Sequence, residues 1–189
     1  MVLAFRNDVV VLLGHGADEH QGAAVADAVR SIADPTSELV VLRGTFDGAW
    51  WEGDELDPAA CAALCAHLDA AVELLTAPLL VVGFSQGAAA ALAWLVGPDR
   101  TTEVAALAAV AGFVPPGVSV DGEGAVDRPP VLLVIPEDDV VVDPFLGGRA
   151  ARLLHRRGHP TTQVEIAGGH AWSPAVTEAA RAWWGSLRG

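Results

Sequence analysis

The stretch from Leu79 to Ala91, LLVVGFSQGAAAA, constrains the fold of this chain more than any other part of the sequence. An apolar run typical of a strand leads into Ser85, which has a glycine two residues before it and another two residues after it, and an alanine-rich run typical of a helix follows. The spacing G-x-S-x-G between a strand and a helix predicts a nucleophile elbow, a tight turn that lifts the serine hydroxyl above the edge of a sheet. Glycine suits both flanking positions, because a Cβ there would meet the strand or the helix. The alternative is an ordinary turn in which Ser85 caps the helix.

Strand and helix patterns alternate along the whole chain, which predicts a parallel sheet covered by helices on both faces. We expect one domain over residues 1–189, a three-layer α/β/α sandwich with a mostly parallel sheet of about six to seven strands. No connection carries an insertion large enough for a cap domain. The predicted strands are 9–13, 38–42, 78–82, 104–110, 130–135 and 161–166, and the predicted helices are about 21–32, 57–75, 86–96, 143–158 and 173–187.

Composition excludes several classes of partner. The net charge is −13 and the sequence contains no lysine, so the surface repels phosphate backbones and anionic lipids, and we expect neither nucleic acid nor membrane-surface binding. No apolar run is long enough to span a bilayer. The first residues lack the basic segment and apolar stretch of a signal peptide, which predicts a cytoplasmic protein.

Cys61 and Cys65 stand four residues apart in a helical pattern, on one helix face. Their parallel Cβ directions suit a disulfide poorly, and two ligands do not make a zinc site. We therefore predict two buried thiols and no metal.

The carboxyl ends of the strands are where a sheet of this kind binds ligands. Ser85, a cluster of acidic residues after the fifth strand and His170 after the sixth all fall on this rim, in the chain order serine, acid, histidine. A serine hydroxyl needs a base to take its proton, and the base needs a carboxylate to orient it. His170 is the best base because it follows a strand in a glycine-flanked loop, whereas other histidines lie in or beside helices: His20, His67, His155 and His159.

The residues alone leave the acid open among Glu137, Asp138, Asp139 and Asp143. Asp143 is better explained as a helix cap, because Asp-Pro is a common start of a helix. An oxyanion hole requires two backbone donors. The elbow supplies the N–H of Gln86, and the loop after the first strand is expected to supply the other.

Taken together, these motifs resemble the phospholipase/carboxylesterase family of α/β-hydrolases, which includes acyl-protein thioesterases and small bacterial carboxylesterases. Residues 83–87 read G-F-S-Q-G, as the family's elbow does, and Gly169-His170 matches its final G-H. Residues 12–19 read LLGHGADE against the family's L-H-G-x-G-A-D-E, with Leu13 standing where the family has histidine. The resemblance implies a minimal α/β-hydrolase fold without a cap domain.

The resemblance also implies roles for single residues. Residues 135–142, IPEDDVVV, resemble H-G-x-x-D-x-x-V, which selects Asp139 as the acid, with Asp138 as the alternative. The variable position of the first motif falls on His15, whose N–H would complete the oxyanion hole with Gln86. A frame that reads His15-Gly16 as the family's H-G would move this donor to Ala17.

An aromatic group, Phe46, Trp50 and Trp51, lies on one loop, and its Ala49-Trp50-Trp51 segment resembles the family's A-W-F. We expect it to form an apolar wall of the substrate cleft, although such a loop can also fold its aromatic side chains inward. Phe113 and Trp172 are weaker candidates for the same wall.

The implied activity is hydrolysis of a carboxylic ester or thioester through an acyl-enzyme on Ser85, with a small-molecule substrate and no cofactor. A homodimer is possible, because the family often forms dimers. Two alternatives stay open: a non-catalytic ligand-binding module with the same fold, and another hydrolase reaction, such as dienelactone or peptide hydrolysis, on the same triad.

Overall fold

The computed structural model describes residues 7–53, 55–98, 100–118 and 127–188. The first six residues, on which the expected location partly rested, lie outside this part of the chain. The described strands are β1 (Val9–Leu12), β2 (Leu39–Leu42), β3 (Leu79–Phe84), β4 (Val104–Val110), β5 (Val131–Pro136) and β6 (Thr161–Ile166). The described helices are α1 (Glu19–Arg30), α2 (Pro58–Ala71), α3 (Gln86–Val96), α4 (Pro144–Arg156) and α5 (Pro174–Arg188).

The predicted alternation of strands and helices is confirmed. One boundary differs noticeably. The helix α2 was expected to reach Leu75, but it ends at Ala71 and the chain continues in turns. Both Asp-Pro starts are helix caps: the side chains of Asp57 and Asp143 accept hydrogen bonds from backbone N–H groups of the first turns of α2 and α4.

The six strands form one parallel sheet in the order β2-β1-β3-β4-β5-β6. The chain moves from β1 outward to β2 on one side, and from β3 through β4 to β6 on the other. The strand order therefore reverses between β1 and β3, which are neighbours. A crevice opens beyond the carboxyl ends of strands at such a switch point, and open α/β sheets bind ligands there.

Two hydrophobic layers cover the sheet. Successive side chains of a strand point to opposite faces, and in β3 Leu79 and Val81 face α2, α3 and α4, whereas Leu80 and Val82 face α1 and α5. Strands buried on both faces need continuous apolar runs rather than an alternating pattern. Cys61 and Cys65 are buried in the first layer, as predicted. None of the described helices combines the length and the apolar character needed to cross a membrane.

Candidate active site

Ser85 occupies a strained turn between β3 and α3. Its backbone φ is 55° and its ψ is −125°, a conformation that costs free energy in a residue with a side chain and that clusters at functional sites. A Cβ on Gly83 would lie 2.5 Å from the Cα of Ala88, and one on Gly87 would lie 2.2 Å from the carbonyl oxygen of Leu12. The predicted need for glycine at both positions is therefore confirmed.

The side chain of Ser85 makes no capping hydrogen bond to α3. Its Oγ lies 2.8 Å from Nε2 of His170, and Nδ1 of the same ring lies 2.7 Å from Oδ2 of Asp139. Because a carboxylate can only accept, the Nδ1–H donates to Asp139 and Nε2 accepts from the serine hydroxyl. The three side chains thus form one hydrogen-bonded row. The alternative in which Ser85 caps the helix through its side chain is wrong.

Asp139 is held by its own loop. It is buried, and its Oδ1 accepts hydrogen bonds from the backbone N–H groups of Val141 at 2.8 Å and Val142 at 2.9 Å. Burial raises the pKa of this carboxyl, but the hydrogen bonds from Val142, His170 and Val141 outweigh burial and hold the pKa below its usual value. Asp139 is therefore ionised at neutral pH and faces the imidazole with a fixed carboxylate oxygen.

The other candidates for the acid beside His170 form no hydrogen bond with its ring. Glu137 and Asp138 have exposed side chains, and the backbone N–H of Asp138 donates to the carbonyl of Gly168 at 3.0 Å. This bond ties the acidic loop to the histidine loop. The side chain of Asp143 accepts from the N–H of Phe145 at 2.9 Å, which confirms it as a helix cap.

Two backbone N–H groups near Ser85 are available to a ligand. Gln86 is the first residue of α3, so its N–H has no acceptor within the helix. In the loop after β1, the N–H of Ala17 already donates to the carbonyl of Gly14 at 3.3 Å, whereas no acceptor for the N–H of His15 lies within the described residues. A Cβ on Gly14 would lie 3.1 Å from the Cβ of Ser85, so this loop passes directly beside the elbow. The geometry favours His15 over Ala17 as the second donor.

The aromatic group of Phe46, Trp50 and Trp51 lines a cavity other than the one that contains Ser85. Trp50 and Trp51 are 3% and 5% exposed and belong to the core, and Phe46 is 48% exposed. All three line a separate cavity of about 370 Å³ beside α2. The cavity that contains Ser85 and His170 measures about 320 Å³ and is lined by residues of the β1 loop, α1, the end of β3 and the histidine loop, including Ala24, Val25, Phe84 and Trp172.

The hydrogen bonds of Trp50 explain why it is buried. Its indole N–H donates to the carbonyl of Leu13 at 2.8 Å, and its backbone N–H donates to Oε1 of Gln86 at 3.0 Å. Trp50 thus links the β1 loop to the residue after Ser85. This supporting role depends on partners 36 and 37 residues away, and no local signal in the sequence reveals it.

Phe84 was also missed by sequence reasoning. Its ring centroid lies 5.0 Å from that of the His170 ring and 6.4 Å from that of Trp172, which meets it edge-on. The position between Gly83 and Ser85 is variable in a bare G-x-S-x-G pattern, so the pattern alone does not mark it.

In the part of the chain that the structure describes, no cluster of three or more histidine, cysteine or carboxylate side chains could hold a metal ion.

No protein-family model matches the sequence, and no curated protein matches it. Solved structures do match. A Zea mays acyl-protein thioesterase 2 is 19% identical with a TM-score of 0.73, over 100% of this chain and 97% of that one. A phospholipase/carboxylesterase from Dyadobacter fermentans is 19% identical with a TM-score of 0.73, over 94% and 89%. The esterase PE8 is 23% identical with a TM-score of 0.68, over 96% and 92%. These similarities show that the chain has the α/β-hydrolase fold.

Proposed function

We propose that this chain of the α/β-hydrolase fold is a serine hydrolase that cleaves carboxylic esters or thioesters through an acyl-enzyme on Ser85. The observation that carries the proposal is the hydrogen-bonded row from Ser85 Oγ to His170 Nε2 at 2.8 Å and from His170 Nδ1 to Asp139 Oδ2 at 2.7 Å. This row gives a weak nucleophile the base and the orienting carboxylate that it needs. The similarity to structures named esterase and thioesterase agrees with it.

In the first half of the reaction, His170 takes the proton of Ser85 as Oγ attacks the carbonyl carbon of the substrate. The negative charge that develops on the carbonyl oxygen is stabilised by the N–H groups of Gln86 and His15. Asp139 stabilises the imidazolium that has formed. The tetrahedral intermediate then collapses, and His170 returns the proton to the departing alcohol or thiol.

In the second half, His170 removes a proton from a water molecule, which attacks the acyl-enzyme. A second tetrahedral intermediate forms in the same oxyanion hole, and its collapse releases the acid and restores the Ser85 hydroxyl. Every proton moves between Ser85, His170, water and substrate. The two half-reactions require no chemical group beyond these side chains and the two backbone donors.

The cavity at Ser85 indicates the kind of substrate. It is lined by apolar side chains such as Val25, Phe84 and Trp172, and none of the described residues that line it is an arginine, aspartate or glutamate. An uncharged acyl group suits such a surface, because burying a charge there without a partner would cost free energy. Its volume of about 320 Å³ lies at the small end of ligand pockets. We propose short or flexible uncharged acyl groups.

The test is hydrolysis of a graded series of p-nitrophenyl esters and matching thioesters by the wild type and by Ser85→Ala. The proposal expects the variant to lose at least about 10³-fold in kcat/KM on every substrate that the wild type cleaves. Ser31→Ala, which changes an exposed serine bonded to its own helix end, is the matched control and should keep full activity. Equal rates for Ser85→Ala and wild type would overturn the proposal.

A further inference from the structure

A groove of about 580 Å³ lies between α4 and residues 113–118, and it shares no lining residue with the cavity at Ser85. Its lining is mostly apolar: Phe113, Val114 and Val118 form one wall, and Leu146 and Leu153 of α4 lie opposite. Buried hydrocarbon surface of this kind binds hydrocarbon through the hydrophobic effect.

Three arginines line the same groove, Arg149, Arg152 and Arg156. They follow one another at i, i+3 and i+7 of α4, a spacing that places them on one face of the helix. All three are exposed, and no aspartate or glutamate is among the described residues that line the groove. Within the described residues none of them forms an ion pair, although the whole chain has 24 acidic residues against 11 arginines. A strongly acidic protein thus concentrates positive charge at one concave site.

Contacts within the protein hold both walls of the groove in place without a ligand. The carbonyl of Pro116 accepts from the N–H of Leu56 at 2.9 Å, and a Cβ on Gly117, whose φ is +88°, would lie 2.6 Å from the carbonyl oxygen of Leu56. On the other side, Ala150 and Leu154 anchor α4 to the core. A preformed groove loses little conformational entropy on binding.

Like charges three and four residues apart on a helix repel one another. A bound anion relieves that repulsion, and the planar fork of a guanidinium matches the geometry of a carboxylate. We propose that this groove binds an anionic amphiphile, a hydrocarbon or aromatic group that carries one carboxylate. The hydrocarbon lies on the apolar walls, and the carboxylate lies among the three arginines.

The net charge of the whole molecule favours a small ligand over an anionic membrane or a nucleic acid. An anionic membrane or a nucleic acid would approach the acidic remainder of the surface as well as the groove, and a net charge of −13 opposes that approach. A single small amphiphile meets only the groove. The proposal does not depend on the hydrolase activity, because it uses none of the residues around Ser85.

The test is a fluorescence titration with 11-(dansylamino)undecanoic acid and with its methyl ester, using enzyme whose Ser85 cavity has been blocked by a fluorophosphonate. The acid alone is also titrated against unblocked enzyme, because the proposed esterase would hydrolyse the methyl ester. We expect the wild type to bind the acid in both forms, and the methyl ester about tenfold more weakly or worse. Replacing the three arginines by glutamine should weaken binding of the acid by at least about tenfold. The control with the same change of charge is the triple variant Arg30→Gln, Arg181→Gln, Arg188→Gln, whose arginines lie outside the groove; it should bind within about twofold of the wild type.

A second variant, Leu146→Glu, places a carboxylate in the groove and should also lose binding of the acid. Thermal unfolding of each variant confirms that it is folded. The proposal is overturned if the wild type does not bind the acid, if the methyl ester binds equally well, or if the groove variants bind as the wild type does. It is also overturned if the control triple variant loses as much affinity as the groove variant. Loss of binding only in the blocked enzyme would place the probe at Ser85 and would equally contradict it.

Discussion

The two carboxylate oxygens of Asp139 bond to different partners. Oδ1 binds the N–H groups of its own loop, and Oδ2 binds Nδ1 of His170. The two hydrogen bonds to Oδ1 fix the carboxylate in place, so that the hydrogen bond to Oδ2 can fix the imidazole ring. The orientation of His170 therefore depends on a loop that β5 supplies, and the ring's packing on Phe84 holds it from the side.

Asp139→Asn should retain the fold and lose most of the activity. An amide at this position can donate to Nδ1 and so favours the tautomer whose Nε2 cannot take the serine proton. We expect kcat/KM for a p-nitrophenyl ester to fall by about 10³–10⁴-fold. Asp138→Asn changes the neighbouring exposed carboxylate and should stay close to the wild type. The opposite ranking of the two variants would show that Asp138 is the acid.

At residue scale, sequence predicted which side chains meet wherever the signal is local. Ser85 stands in a short pattern with a steric reason for each glycine, and His170 follows a strand at the correct edge of the sheet in a glycine-flanked loop. Sequence could not decide between an exposed wall and inward-folded side chains for Trp50 and Trp51, because the burial of a loop aromatic depends on acceptors such as the carbonyl of Leu13. The resemblance, not the spacing of charges, singled out Asp139 from its acidic neighbours.

At the scale of elements, α3 must approach β1 closely to bring the two proposed oxyanion donors, the N–H groups of His15 and Gln86, together. Gly87→Ala would place a Cβ 2.2 Å from the carbonyl oxygen of Leu12 and 2.5 Å from that of Leu13. Backbone must shift to admit it, so we expect a loss of about 1–3 kcal/mol in the free energy of unfolding together with a lower kcat. Urea unfolding and ester hydrolysis measure the two effects.

Gly185→Ala is the matched control on a helix. A Cβ at Gly185 meets nothing within 4 Å, and alanine is the better helix former, so this variant should gain about 0.5–1 kcal/mol in the free energy of unfolding. Its ester hydrolysis should be unchanged. If both alanine variants behaved alike, the close approach of α3 to β1 would not be what requires glycine at position 87.

Asp69 joins α2 and α3 to the segment before β4. Its carboxylate accepts from the indole of Trp94 and from the backbone and hydroxyl groups of Thr101 and Thr102. Burial raises its pKa, but these hydrogen bonds, led by the hydroxyl of Thr102, lower it below the usual value. A carboxyl with a lowered pKa in the folded state stabilises the fold above its unfolded pKa, and that stabilisation is lost as the pH falls through the folded pKa.

Asp69→Asn should therefore destabilise the protein by about 2 kcal/mol at pH 7, because several hydrogen bonds to a charged acceptor are weakened or lost. The difference between variant and wild type should stay constant down to the usual aspartate pKa of about 3.9 and shrink at lower pH. Urea unfolding at several pH values measures this. A difference that does not change with pH would show that the charge of Asp69 contributes nothing.

At the scale of the whole molecule, the switch point between β1 and β3 places the β1 loop beside the elbow. The layers of the fold could be predicted from the alternation of strand and helix patterns, because each pattern is local. The order of the strands could not be obtained that way, because it depends on pairing between strands far apart in the chain, such as β1 with β3. That pairing nevertheless brings Gly14 to Ser85.

No cap domain was predicted, and the cavity at Ser85 is small. The account therefore expects p-nitrophenyl acetate and butyrate to be cleaved with a higher kcat/KM than the decanoate and longer esters. Ala24→Trp fills part of the cavity lining and should lower kcat/KM further for the longer acyl groups than for acetate. A strong preference of the wild type for long chains would contradict the assignment of this cavity to the acyl group.

The central claim is that Ser85 is a nucleophile activated by His170 and Asp139, and covalent labelling tests it most directly. A fluorophosphonate should add one label to the wild type, and peptide mass spectrometry should place it on Ser85. Ser85→Ala should take no label, and His170→Ala should label at least about 10²-fold more slowly, because the base is missing. A wild type that takes no label, or takes it on another residue, would contradict the account and favour a binding module without turnover.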